Sequence, residues 1–94
     1  MKFSDLVFKK NQSGIGALIS FDNGWQVSVV AGEGMYSTPR ENLSEAYKFS
    51  SFEVAIFNKN GGFATKDLFQ ADDDVVGWCG RDDIDDIIAM VANQ

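Results

Sequence analysis

The 94-residue chain has no histidine, one cysteine, one proline, and eight basic side chains against fourteen acidic ones. Without histidine there is no Ser-His-Asp or Cys-His array and no imidazole metal ligand. The lone thiol, Cys79, excludes an intrachain disulfide and a CxxC zinc site, and it suits a reducing compartment. No run approaches the ~20 apolar residues of a membrane-spanning helix. Asp5, Lys9 and Lys10 interrupt the opening segment where a secretory signal would place its apolar stretch. A net charge of −6 leaves no basic footprint for wrapping nucleic acid. Direct binding of nucleic acid or membrane is therefore not expected.

What is present reads as one small α+β domain over residues 1–94. Residues 15–21 and 25–31 are two apolar runs of strand character separated by Asp22-Asn23-Gly24. A two-residue Asn-Gly turn would set Phe21 against Gln26. A three-residue loop with Gly24 left-handed instead sets Phe21 against Trp25, Ile19 against Val27 and Ala17 against Val29, which collects the apolar side chains on one face. The second register is the expectation. A second hairpin is expected from residues 49–57 and 62–69 around Asn58-Lys59-Asn60-Gly61, with Ile56 opposite Phe63, Val54 opposite Thr65, and Glu53 opposite Lys66. Residues 3–9 are a candidate fifth, edge strand.

Ile84, Ile87, Ile88 and Val91 recur at helical spacing and predict a helix over 81–92, with Gly80 as its N-cap. The predicted fold is an antiparallel β-meander of four strands, or five with the edge strand, and a C-terminal helix packed on one face. Residues 32–46 form a long loop between the hairpins, with one helical turn expected over 42–47. Its length marks it as functional or mobile. The sheet face that collects Ile15 to Phe63 exceeds what one short helix can cover. Residues 72–79 with Val75, Val76 and Trp78, the long loop with Met35 and Tyr36, the N-terminus or a second chain are candidates for the remainder. Leu18, Val30, Phe57 and Leu68 fall on the other face.

Candidate sites are few. Ser13-Gly14-Ile15-Gly16 and Gly32-Glu33-Gly34 lack the strand–turn–helix context of a phosphate loop, so no cofactor is expected. Asp72-Asp73-Asp74 has no cation-loop spacing, and no metal is expected; Asp74 is read as capping a turn at Val75–Trp78. Cys79 has only Arg81 nearby to favour a thiolate and reads as a small buried hydrophobe. No catalytic residue is assigned.

The distinctive feature is charge placement. Residues 1–47 hold four basic and five acidic side chains; residues 48–94 hold four and nine. Half of all the acids fall between Asp72 and Asp86. Part of this serves the positive end of a helix dipole. The rest could imitate DNA phosphates, which are spaced at one charge per ~1.7 Å of duplex axis. The residues expected to meet a partner with a basic surface are Asp72, Asp73, Asp74, Asp82, Asp83 and Asp86, with Tyr36 from the long loop. Glu41, Glu45 and Asp67 are further candidates for that surface. The alternative is a structural module that homodimerises through leftover apolar sheet surface.

Phe3-Ser4-Asp5-Leu6 with Phe8-Lys9, Phe21-x-Asn23-Gly24-Trp25-x-Val27-Ser28-Val29-Val30, Phe52-Glu53-Val54-Ala55, and Asp73-Asp74-Val75-Val76-Gly77-Trp78 before an acidic helix together resemble a family of small uncharacterised proteins of tailed bacteriophages. The resemblance covers most of the chain discontinuously and fails over residues 32–46. Members tend to carry Thr at the helix cap, where this chain has Gly80. It implies a viral origin and action in the cytoplasm of an infected bacterium, and it assigns no functional residue.

Overall fold

The computed structural model describes residues 1–69 and 73–94. The strands are β1 (Lys9–Lys10), β2 (Gly14–Ser20), β3 (Gln26–Gly32), β4 (Phe52–Phe57) and β5 (Val75–Cys79); the helices are α1 (Thr65–Phe69) and α2 (Arg81–Ala92). The strands form one antiparallel sheet in the order β1-β2-β3-β4-β5, a five-stranded meander. No helix of the described residues is long and apolar enough to cross a membrane.

The first hairpin has the expected register: Ala17 pairs with Val29 and Ile19 with Val27. Its three-residue turn is closed by the Phe21 N–H donating to Trp25 O at 2.9 Å. Gly24 holds φ +87°, a conformation that a side chain would resist. Asn23 links this turn to the helix, since its Oδ1 accepts from the Trp25 N–H and its Nδ2 donates to Val91 O, both at 2.9 Å.

The second expected hairpin does not form. Residues 62–69 return as a single bridge, Phe57 with Phe63, followed by α1. Thr65 makes the difference: its buried Oγ1 accepts the Ile56 N–H at 2.9 Å, and Ala64 N–H reaches Ile56 O at 2.8 Å. These bonds satisfy the β4 edge locally and start a helical turn that packs Leu68 and Phe69 against the core. Phe63 consequently lies opposite Phe57 rather than Ile56 and is 51% exposed. Val54 pairs with Val29 and Val76, not Thr65. Glu53 does not meet Lys66: it accepts from the Tyr36 N–H, while Lys66 lies 3.9 Å from Asp74.

The strand that completes the sheet is β5, where a turn capped by Asp74 was expected. A buried Phe52 faces Cys79 and Val54 faces Val76, so Glu53 alone opposes Gly77 and Trp78, a β-bulge. At the other edge, β1 is only two residues long, and Phe3–Asp5 forms a 3₁₀ turn where the longer edge strand was expected. The 3₁₀ turn after the long loop spans Ala46–Lys48, later than expected.

The core lies on one sheet face. Ile15, Ile19, Val27, Val29, Phe52, Val54 and Ile56 meet Ile84, Ile87, Ile88 and Val91 of α2, all buried. Each such side chain contributes about 1.5–3 kcal/mol relative to exposure. The surplus apolar surface is covered from the N-terminal segment, where Phe3 and Phe8 lie 5.1 and 5.6 Å from Phe52 between ring centroids, from Phe49, from Leu43 and Ala46 of the long loop, and from Val76. The opposite face carries Leu18, Ser28, Val30, Ala55 and Phe57; Leu68, expected there, packs on the core instead.

Candidate functional site

Helix α2 begins at Gly80, which has extended backbone and no side chain to offer. The cap comes from Asp83, whose Oδ2 accepts the Gly80 N–H at 2.9 Å. That is half of a capping box, reached from the third helical position. Asp85 is also committed to the fold: its Oδ1 accepts the Phe3 N–H at 2.6 Å and fastens the N-terminal segment. Arg81 reinforces this side of the helix. Its guanidinium lies 5.0 Å from the Phe3 centroid and 5.5 Å from that of Phe52, and it donates to Ala46 O at 3.1 Å.

Asp82 and Asp86 behave differently. Both are exposed, and neither has a side-chain hydrogen bond or an ion pair among the described residues. They line a shallow surface with Met1, Lys2, Ala89 and the tied Asp85. Asp73 is exposed and its Oδ1 accepts the Asp74 N–H at 2.7 Å. Asp74 pairs loosely with Lys66 at 3.9 Å, an exposed contact worth at most about 1 kcal/mol. Asp72 lies outside the described residues.

On its other side Asp86 faces a groove between β5 and α2 of about 310 Å³. Half-buried Phe69, Val76 and Met90 and buried Ile87 give it an apolar floor; Asp83, Asp86 and Trp78 stand at its margin. Trp78 is 57% exposed and holds φ +53°, the left-handed region that bulky residues avoid. It occupies the β5 bulge, and its N–H donates to Tyr36 O at 2.9 Å. The Tyr36 and Trp78 rings lie 5.2 Å apart, and the Arg40 guanidinium is 5.5 Å from the Tyr36 ring. Gly77 permits this approach: a Cβ there would lie 2.6 Å from Tyr36 Cβ.

Asp83 and Asp86 thus share the groove's lining with Trp78, Tyr36 packs on Trp78 from outside that lining, and Asp82 adjoins Asp86 one helical turn back. Asp73 and Asp74 do not line the groove. Sequence reasoning missed Trp78, Phe69 and Met90 as site residues. The available signal was the Gly77-Trp78 pair, a large aromatic beside a glycine at a point where strand alternation breaks.

The groove is suited to binding an amphipathic group. Beneath it Cys79 is 4% exposed, with Sγ 3.7 Å from Val76 O. Burial, reinforced by the Asp83 charge, pushes its thiol up to about 11, so it is protonated at neutral pH. Among the described residues no three cysteine or carboxylate side chains gather where they could hold a metal ion. Compared with protein-family models, curated proteins and solved structures, the chain matches none.

Proposed function

We propose that the chain is a non-enzymatic protein of tailed-phage type that binds a bacterial protein through the acidic flank of α2. The observation that carries this reading is the pair Asp82 and Asp86, exposed carboxylates without a partner among the described residues, beside an apolar groove. Carboxylates that the fold does not use remain available to a basic surface. Asp73, exposed on the bend before β5, is a further carboxylate included in the test. The partner class is a host defence or nucleic-acid-handling protein whose basic groove ordinarily takes phosphates. The test is capture from bacterial lysate on immobilised wild type and on D73N/D82N/D86N over a series of salt concentrations. Protein captured by the wild type, released steeply with salt and lost with the variant, is the expected result. Salt-insensitive capture, or capture retained by a folded variant, contradicts it.

A second reading is supported by the open sheet face, where Val7 is 75% and Leu18 63% exposed. There the chain would be an assembly module that pairs with a second copy. It predicts a dimer by light scattering that L18K dissociates; a monomer at high concentration contradicts it.

A further inference from the structure

Resting on the acidic-flank reading, we propose that the groove between β5 and α2 receives an arginine side chain of the partner, its guanidinium between the Trp78 ring and the Asp86 carboxylate. Three observations converge on that occupant. The margin is anionic and, among the described residues, Asp86 has no ion pair or side-chain hydrogen bond, whereas Asp83 has committed Oδ2 to the Gly80 N–H. The floor of Val76, Ile87 and Met90 is apolar, which suits the methylene stem of a long cationic side chain and not a compact hydrated ion. The third wall is the exposed indole of Trp78, the best aromatic partner for a cation, presented at φ +53° where glycine would be easier. Strained positions persist where the surrounding structure enforces them, and they cluster at ligand sites. The chain satisfies its own guanidinium groups by the same means, with Arg81 over Phe3 and Phe52 and Arg40 over Tyr36. Arginine fits better than lysine because its planar fork can stack on the indole and bond a carboxylate together.

The experiment titrates the ¹⁵N-labelled full chain with the blocked peptide acetyl-Gly-Arg-Gly-amide and with its citrulline and lysine counterparts. The expected result is a saturable shift of the Trp78 indole N–H with the Trp25 indole unmoved. Citrulline, which keeps the shape and loses the charge, should bind roughly tenfold more weakly, and lysine detectably more weakly than arginine. D86N and W78G should each weaken arginine binding several-fold while keeping a dispersed spectrum. D86N changes one exposed carboxyl, so it tests the site even if W78G fails to fold. No shift at Trp78, equal binding of citrulline or lysine, or undiminished binding by D86N overturns the assignment. If the peptide fails while lysate capture still depends on the aspartates, only the arginine site falls. If the peptide binds but capture does not depend on them, the acidic-flank function falls.

Discussion

The two flanks of α2 carry the same residue type to different ends. On the flank facing the N-terminal segment, Asp85 holds the Phe3 N–H and Arg81 bridges Phe3, Phe52 and Ala46. On the flank facing β5, Asp86 borders a groove whose aromatic wall is exposed and backbone-strained. Asp82 stays exposed, and Asp83, though it borders the groove, is spent on the cap. Four aspartates within five residues therefore do not share one role, although Asp82, Asp85 and Asp86 border the same surface beside Met1 and Lys2. Two are structural hydrogen-bond acceptors and two are surface charge, and proximity in sequence does not separate them.

That contrast can be broken by mutation. The largest effect is expected on the tied flank. R81A removes a charge-assisted bond and two ring contacts, and should cost about 2 kcal/mol in urea denaturation. A loss under 0.5 kcal/mol would mean that this flank is not fastened as described.

Beneath the open flank the Cys79 thiol adds a stability term that depends on pH. The folded pKa is raised from 9.0 to about 11, so the unfolded chain loses its proton first. The stabilisation is intact below about pH 9 and declines as pH rises towards 11. Wild type should therefore lose up to about 2 kcal/mol relative to C79A over that interval. Parallel pH profiles for the two proteins would contradict the burial of the thiol.

A smaller effect sharpens the division further. W78G relieves the left-handed strain but gives up the Tyr36 contact and adds chain entropy in the unfolded state. These terms oppose one another, and thermal unfolding should place the variant within about 1 kcal/mol of wild type. A loss of several kcal/mol would make Trp78 a core residue, not a groove wall.

Residues whose environment is set locally were legible in the sequence. The first hairpin followed from alternation and Gly24, and α2 appeared at Arg81–Ala92 because the apolar spacing and Gly80 both marked it. The second hairpin misled because Phe63 to Phe69 has the composition of a strand, while Thr65 has a hydroxyl that competes for the β4 edge. With the Ile56 end of that edge taken, Val75–Cys79 pairs with the remainder, Phe52 to Ala55, a long-range choice that residue pattern does not encode. The site was legible in part for the same reason. The helical aspartates could be identified, but the roles of Asp83 and Asp85 depend on Gly80 and Phe3, the second of these 82 positions away.

The most direct test is the unfolding free energy of two matched double variants, D83A/D85A and D82A/D86A. Each removes two charges near the same helix end and adds the same two alanines, so helix propensity and most of the dipole term cancel. The division of roles predicts that D83A/D85A is less stable than D82A/D86A by about 2 kcal/mol, with D82A/D86A near wild type. Equal stabilities for the two would contradict it.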